Sequence, residues 1–467
     1  MSHAKVLSNS PNLDHVVLYP PAMAEMASSI AAALSTTAVH CTDELSSPSK
    51  GGADLALAWE IFDSANPNVK LRADALIGKH VVLLINQDDQ SAIFAQLSVL
   101  MFLQRMVVPD PLESSAKSKW KGVVDAGAFS VQSAGAISVV IPWYRYCQME
   151  RTSRWAVNSE QGKWINSDAN GPFLDVPTAH TFAALLSAVP PPPPGGKPAP
   201  PLPPKQLLLL DLHETKEVED TVRGTQAWAN PVVPYDLVRG SGTYFASALD
   251  HFLANHLPPE LSVDVSSLFI IFPDGGAYRR FKQMVVTRLT GIAEDHVLYI
   301  SKTRVNAEVR QAETLLYQPE SDVSSDAHIR DDLPAGARAL IVDDFTNSGS
   351  TLFGGATILK KKASEDVKVY AWVSHFVAKY DQPTVDKFVD KLYSGADSLD
   401  GFYTTDSNPA VVGWLTQALA ARDEPVRAWV MPLGPLIAQW VAANPLEATA
   451  ASAAAARPAV GGCCSIQ

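Results

Sequence analysis

Seven short apolar segments, each followed by a polar or glycine-containing turn, constrain the fold of this chain more than any other feature of its sequence. Helical patterns, such as AIFAQLSVLMFLQRM at 92–106, run between them. Apolar strands that alternate with helices are typical of parallel sheets covered on both faces. The sequence therefore predicts an α/β protein with mainly parallel sheets, and ligands at the carboxyl ends of the strands. The apolar segments lie at 80–89, 137–146, 206–214, 267–276, 296–304, 338–350 and 368–376.

Charge and cysteine content limit the compartment and the partners. A chain of 467 residues has room for two or three domains. Its net charge of -12 argues against nucleic acid as a partner, because nucleic acid requires a basic surface. Four unevenly spaced cysteines indicate a reducing compartment, and no secretory signal or membrane-length apolar run is evident. We therefore expect a cytoplasmic protein.

The segment 339–352, ALIVDDFTNSGSTL, carries the strongest chemical signal. An apolar strand delivers Asp343 and Asp344, and paired carboxylates can accept hydrogen bonds from the vicinal hydroxyls of a ribose. A hydroxyl-rich loop then opens a helix, whose N-terminal amides can bind a phosphate dianion. An acidic strand end before a serine-rich helix cap is also common without a ligand, but it does not explain the succession of all three parts. The residues predicted to hold ribose 5-phosphate are Asp343, Asp344, Thr346, Asn347, Ser348, Gly349, Ser350 and Thr351.

A second segment, FPDGGAYRRF at 272–281, places an aspartate and two glycines after a predicted strand. Gly275 and Gly276 would let the backbone approach a diphosphate closely, while Arg279 and Arg280 add positive charge. An Asp-Gly-Gly sequence on its own is an ordinary turn. The position of Asp274 in the order of motifs favours a functional loop.

Two further segments carry isolated charged or titratable groups. ISKTR at 300–304 places Lys302 and Arg304 one residue apart, which suits a transition state with charge on transferred phosphoryl oxygens. Without the other motifs, this pair would be typical of a solvated strand end. DLHE at 211–214 places His213 after a strand, where a lone histidine is more often structural.

In this order, the four segments resemble the motifs of phosphoribosyl diphosphate (PRPP) synthetases. The resemblance covers most of residues 55–443 and is closest to the plant-type, class II enzymes, in segments such as LAWEIFDSANPNVKL (57–71) and GFYTTDSNPAV (401–411). It implies two type I phosphoribosyltransferase-like domains in a homodimer or larger assembly. The implied reaction transfers the β,γ-diphosphoryl group of ATP to the C1 hydroxyl of ribose 5-phosphate, giving PRPP and AMP.

The resemblance also implies roles for individual residues. Lys302 and Arg304 would be catalytic, and His213 and Asp274 would hold Mg²⁺. The implied pyrophosphate loop consists of Asp274, Gly275, Gly276 and Arg279. The implied ATP contacts are Phe62, Arg151 and His213.

Two departures from the family pattern keep other functions open. Phe62 is followed by Asp63-Ser64-Ala65 where the family has roughly F-x-D-G, and Ser350 stands where glycine is usual. A catalytically weak regulatory homologue is therefore one alternative. A phosphoribosyltransferase that consumes PRPP is another, although it would not need the three motifs before the ribose 5-phosphate loop.

The motifs also suggest domain boundaries. An N-terminal, ATP-side domain is predicted at 13–215, with a proline-rich surface insertion at 188–205. A C-terminal domain at 216–430 would bind ribose 5-phosphate or PRPP, and a helix at 431–444 would return to the N-terminal domain. Residues 445–467 are low in complexity and are predicted to be disordered. They end in CSIQ, which fits a prenylation pattern at Cys464 and hence a membrane association through a lipid.

Overall fold

The structure of the chain is a computed structural model. It divides into two compact units, of which the first comprises Met1–Leu208, Glu214–Val233 and Ala438–Gln467 and the second comprises Leu209–His213 and Pro234–Ile437. The residues that the structure describes are 13–36, 57–61, 67–109, 129–147, 149, 155–158, 163–166, 176–191, 201–213, 230–232, 247–262, 264–305, 308–318, 327–363, 366–395 and 397–446.

Strands and helices alternate along most of the described chain. The strands are β1 (His15–Leu18), β2 (Leu57–Ile61), β3 (Pro67–Leu71), β4 (His80–Leu84), β5 (Met106–Pro109), β6 (Phe129–Gln132), β7 (Ala136–Ile141), β8 (Trp155–Asn158), β9 (Lys163–Asn166), β10 (Lys205–Leu209), β11 (Asn230–Val232), β12 (Leu268–Phe272), β13 (Val297–Val305), β14 (Glu308–Tyr317), β15 (His328–Arg330), β16 (Arg338–Thr346), β17 (Lys368–Phe376), β18 (Gly401–Thr405) and β19 (Ala428–Met431). The helices are α1 (Ala24–Ala33), α2 (Ala73–Leu76), α3 (Ile93–Gln104), α4 (Thr178–Ser187), α5 (Ala248–Asn255), α6 (Pro259–Ser262), α7 (Gly275–Arg288), α8 (Ser350–Lys362), α9 (Gln382–Tyr393), α10 (Pro409–Ala420) and α11 (Gly434–Ala443).

The first unit is built on a five-stranded sheet in the order β1-β4-β7-β10-β11. β4 pairs in parallel with β1 and with β7, and β10 pairs in parallel with β11. Every residue of β4 and β7 is buried, which explains why both sequences are apolar almost throughout. Three antiparallel two-stranded ribbons, β2-β3, β5-β6 and β8-β9, accompany this sheet.

The second unit contains an eight-stranded sheet in the order β15-β14-β13-β12-β16-β17-β18-β19. The strands from β13 through β12 to β19 are parallel, whereas β14 pairs antiparallel with β13 and with β15. The residues of β12, Leu268–Phe272, are all buried, and so are Ala339 to Val342 in β16. Buried side chains of α8 and α9 pack on one face of these strands.

The strand order of the second unit reverses between β12 and β16. After β12 the chain passes through α7 to β13 on one side, and after β16 it passes through α8 to β17 on the other side. Two such diverging connections leave a crevice at the carboxyl ends of the adjacent strands, and ligands of open α/β sheets bind there. The fold therefore places Asp274 and the pair Asp343 and Asp344 at the edge of this crevice.

The prediction of mainly parallel sheets flanked by helices is confirmed, since each of the seven apolar segments contains a strand. Nine residues of the proline-rich insertion, 192–200, and the tail from 447 lie outside the described residues. None of the helices in the part of the chain described is long and apolar enough to cross a membrane.

Candidate active site

Asp344 is the centre of a buried charged cluster at the carboxyl end of β16. Its side chain is 2% exposed, and its Oδ2 atom accepts a hydrogen bond of 2.6 Å from Nη1 of Arg280 in α7. The same oxygen lies 2.8 Å from Nδ1 of His213, which follows β10. An ionised carboxylate can only accept hydrogen bonds, so Nδ1 of His213 carries the proton. The His213 ring also contacts the ring of Phe345, with centroids 5.2 Å apart and planes nearly perpendicular.

The pKa values of the two neighbouring carboxylates are shifted in opposite directions. Burial acts to raise the pKa of Asp344, but the charge of Arg280 and the hydrogen bond from His213 outweigh it and hold that pKa well below its usual range. Burial, the charge of Asp344 and the more distant charge of Asp274 raise the pKa of Asp343 well above its ordinary value. Asp344 is therefore the ionised member of the pair, and an ionised Asp343 would be stabilised by a cation.

Asp211 fixes the backbone two residues before His213. Its side chain is fully buried, and Oδ2 accepts hydrogen bonds from the amides of Ala248 (3.0 Å) and Leu249 (3.3 Å) and from Oγ of Ser374 (2.6 Å). Asp211 has a φ of 39°, in the left-handed region that non-glycine residues seldom adopt. Three hydrogen bonds to one oxygen can maintain such a conformation, so they determine where the chain presents the histidine.

Asp274 caps the helix that follows β12. Its Oδ1 atom accepts hydrogen bonds of 2.9 Å from the amides of Gly276 and Ala277, in the first turn of α7. A carboxylate in this position also stabilises the positive end of the helix dipole. The predicted pyrophosphate loop is thus a helix N-terminus.

The two adjacent arginines of α7 have different surroundings. Arg279, the one predicted in the pyrophosphate loop, is exposed, whereas Arg280 is largely buried and contacts Asp344. Consecutive residues of a helix differ in direction by about 100°, so the position of the Asp274 cap determines which arginine faces β16. The sequence indicates Arg280 only as added positive charge, and it does not indicate a role for Asp211. A polar residue directly after an apolar strand was the available signal for Asp211.

The predicted phosphate loop leads from the end of β16 into α8. Gly349 has a φ of 74° and is the N-cap of the helix. A Cβ atom at this position would lie 2.6 Å from the ring of Phe388 and 2.7 Å from that of Phe353, so glycine is required both by conformation and by space. Ser350 begins the helix with an exposed side chain, and Thr351 follows it. The N-terminus of this 13-residue helix presents amide groups of the kind that bind phosphate.

The remaining predicted residues of the ATP side are only partly described. Lys302 and Arg304 lie in β13, where their backbones pair with Gln311 and Val309 of the antiparallel strand β14. Their side chains are outside the described residues. Phe62, Arg151 and Cys464 also lie outside the described residues.

The residues present fit a Mg²⁺ ion that arrives with a nucleotide. Mg²⁺ usually binds one or two carboxylates together with substrate phosphates. Among the residues described, no group of three or more His, Cys, Asp or Glu side chains is arranged as a metal site. However, burial, the charge of Asp344 and the charge of Asp274 all raise the pKa of Asp343. A cation bound near these carboxylates would lower the repulsion among them. Nδ1 of His213 faces Asp344, so Nε2 is the ring nitrogen that could ligate a metal.

Comparisons with known proteins show which proteins this chain is similar to. The chain is 23% identical over 366 residues to a protein named Ribose-phosphate pyrophosphokinase 4 from Oryza sativa subsp. japonica, covering 78% of this chain and 82% of the relative. It is 23% identical over 358 residues to the protein of the same name from Arabidopsis thaliana, covering 76% and 77%. The chain is PRPP-synthetase-like.

The fold of the chain is also similar to that of a solved structure. A crystal structure of phosphoribosylpyrophosphate synthetase from Mycobacterium smegmatis superposes with a TM-score of 0.51 at 15% identity, over 92% of this chain and 98% of that one. No family model matches the sequence. The predicted PRPP-synthetase fold and the predicted resemblance to the plant enzymes are confirmed.

Proposed function

We propose that this PRPP-synthetase-like protein is a ribose-phosphate diphosphokinase, which makes PRPP and AMP from ATP and ribose 5-phosphate. The observation that carries the proposal is the meeting of three sequence motifs, those of His213, of Asp274 and of the acidic pair, at one crevice of the second unit. Asp274 caps α7, Arg280 of the same helix contacts Asp344, and Asp344 also contacts His213. The phosphate loop begins directly after the acidic pair.

The acceptor is held by β16 and α8. Amides at the N-terminus of α8, together with the hydroxyls of Ser348 and Thr351, bind the 5-phosphate, and the acidic pair accepts hydrogen bonds from the ribose hydroxyls. The C1 hydroxyl is then placed for in-line attack on the β-phosphorus of ATP, and AMP leaves. Phosphoryl transfer of this kind depends mainly on positioning and on charge neutralisation.

The donor is held by the groups at the end of β12 and after β10. His213 and Asp274 would hold Mg²⁺ together with ATP oxygens, and the ion would supply neutralisation of the phosphate charge. Lys302 and Arg304 stabilise the charge that builds on the transferred phosphoryl oxygens. Phe62 and Arg151 complete the ATP contacts in this proposal.

The test is release of AMP from ATP and ribose 5-phosphate by the purified chain, with Mg²⁺ and without any nucleobase. We expect AMP and PRPP in equal amounts. Lys302→Ala should lower kcat by about 100-fold or more, because it removes a cation from the transition state. Lys361→Ala is the matched control, because Lys361 is exposed at the far end of α8. Equal rates for the two variants would contradict the assigned role of Lys302.

A catalytically weak regulatory homologue is the second candidate, favoured by the sequence Phe62-Asp63-Ser64-Ala65. Such a protein would bind ribose 5-phosphate but release no AMP, and it would change the rate of an active synthetase added to the same assay. A PRPP-consuming phosphoribosyltransferase would instead need PRPP and a nucleobase. A homo-oligomeric state, a cytoplasmic location and a lipid on Cys464 remain parts of the proposal that chromatography, fractionation and mass spectrometry can test.

A further inference from the structure

One side chain of α7 holds the end of β14. Tyr278 is 4% exposed, and its hydroxyl accepts a hydrogen bond from the amide of Gln318 (3.0 Å) and donates one to the carbonyl of the same residue (3.3 Å). Nζ of Lys282, one turn further along α7, also donates to that carbonyl, at 2.6 Å. Gln318 directly follows Tyr317, the last residue of β14. Both backbone groups at the end of this strand are therefore bound to α7.

The strand that pairs with β14 carries the two cations assigned to the transition state. β12 pairs with β13 as far as Tyr299, and residues 300–305 of β13 extend about 20 Å past that point. Among the described strands, only β14 pairs with this extension, which contains Lys302 and Arg304. The register of the two strands shifts between Ile300 and Lys302. The placement of both cations therefore depends on how β14 is held.

The ring of Tyr278 links the same strands to the predicted pyrophosphate loop. It contacts the ring of Tyr299, with centroids 4.8 Å apart, and the ring of Phe272 at the end of β12, with centroids 5.8 Å apart. A Cβ atom at Gly275 would lie 3.6 Å from Cε2 of Tyr299, so that ring also lies against the first turn of α7. The amide of Tyr278 donates to the carbonyl of Asp274 (3.1 Å). Tyr278 thus joins the ends of three strands to the turn that Asp274 caps.

We propose that Tyr278 is a positioning residue for the diphosphoryl transfer: it fixes the β13–β14 hairpin to α7, and thereby places Lys302 and Arg304 relative to the N-terminus of that helix. This inference rests on the proposed function for the roles of Lys302, Arg304 and Asp274. A displacement of about 1 Å at the reacting groups can lower a rate about 100-fold. A hairpin that extends past its neighbouring strand would be displaced in this way if its base were released.

Tyr278→Phe tests the proposal, because it removes the hydroxyl and keeps the ring contacts. It should lower kcat for AMP release by about 10- to 100-fold, while the KM values for ATP and ribose 5-phosphate change by less than about threefold. In this variant the two cations act on the transition state from displaced positions, whereas the groups that bind the substrates stay in place.

Tyr393→Phe in α9 is the matched control. The Tyr393 hydroxyl accepts a hydrogen bond from the amide of Arg427 (3.2 Å), so this variant also loses a contact between a hydroxyl and the backbone of the same unit. Both variants should lower the midpoint of thermal unfolding, but Tyr393→Phe should leave kcat unchanged. An unchanged kcat in Tyr278→Phe, or an equal loss of kcat in both variants, would overturn the positioning role.

The variant Lys302→Ala separates an effect that acts through the hairpin from a general one. If Tyr278 acts by placing Lys302, then Tyr278→Phe should lower kcat by a smaller factor in the Lys302→Ala protein than in the unmodified chain. The same factor in both proteins would contradict the proposal.

Amide hydrogen exchange tests the same contact without any ligand. In Tyr278→Phe, exchange of residues 308–318 should be about 3- to 10-fold faster, because the loss of the hydroxyl releases the end of β14, while exchange in β17 should be unchanged. Unaltered exchange of residues 308–318 would show that Tyr278 does not hold the hairpin. If the unmodified chain released no AMP, the proposed function would be contradicted, while hydrogen exchange would still decide whether Tyr278 fixes the hairpin to α7.

Discussion

Both units are built from strands and helices in the same α/β manner, but the side chains at the ends of their strands differ chemically. In the first unit the segment after β4 carries neutral amides that bind one another: the amide of Asn86 donates to Oε1 of Gln96 (2.7 Å), and Nε2 of Gln96 donates to the carbonyl of Asn86 (2.7 Å). In the second unit the strand ends carry Asp274, Asp343 and Asp344. The first set is neutral, whereas the second contains neighbouring carboxylates whose mutual repulsion a cation would lower.

The two units also differ in the order of their strands. Among the described strands of the first unit, the order β1-β4-β7-β10-β11 follows the chain in one direction, while the order in the second unit reverses between β12 and β16. Reversal separates the connecting loops and opens a crevice. In the second unit, the reversal of strand order and a cluster of carboxylates coincide at the candidate site.

The largest effect that would test this comparison is expected for Gly349→Ala. The new Cβ would lie 2.6 Å from the Phe388 ring at a φ of 74°, so the loop must move. We expect a loss of roughly 2–5 kcal/mol in the free energy of unfolding, and of about 100-fold in ribose 5-phosphate affinity. Urea unfolding and calorimetry measure the two quantities. Gly413→Ala in α10 is the control: its Cβ would meet no atom within 4 Å, and it should stabilise the helix by up to about 1 kcal/mol.

The next effect concerns a charge buried in the first unit. Lys205 is buried and donates a hydrogen bond to Oε1 of Gln104, and burial lowers its pKa to about 8. The unfolded state then binds more protons than the folded state between pH 8 and the unfolded pKa near 10.5, so stability rises with pH in that window. The gain for the unmodified chain relative to Lys205→Met should reach about 3 kcal/mol. If the free energies of unfolding of the two proteins changed with pH by the same amount, that result would contradict the burial of a charged lysine.

The smallest effect separates the two roles of Asp274. Asn caps helices about as well as Asp, so Asp274→Asn should keep the unfolding free energy while lowering Mg²⁺-ATP affinity by at least about tenfold. Asp274→Ala should lose the affinity and about 1 kcal/mol of stability as well. Nucleotide titration and thermal unfolding provide the measurements. Equal stability of the two variants would mean that the cap contributes nothing to α7.

Local patterns in the sequence predicted the strands and the motif at 339–352, because an apolar run and its following turn are encoded by adjacent residues. The pairing of His213 with Asp344 was not predictable, since 131 positions separate the two residues and only the assembled sheet brings them together. Which of the two arginines, Arg279 or Arg280, contacts Asp344 was also not predictable, because it depends on the residue at which α7 begins. For Asp274, the sequence indicated a ligand but not a helix cap.

The hydrogen bonds of Asp211 have a consequence for altering the chain. They attach the backbone before His213 to α5 and to Ser374. This attachment does not involve the residues that follow the histidine in sequence. A peptide tag or a fluorescent reporter inserted a few residues after position 213 should therefore leave the histidine in register with β16.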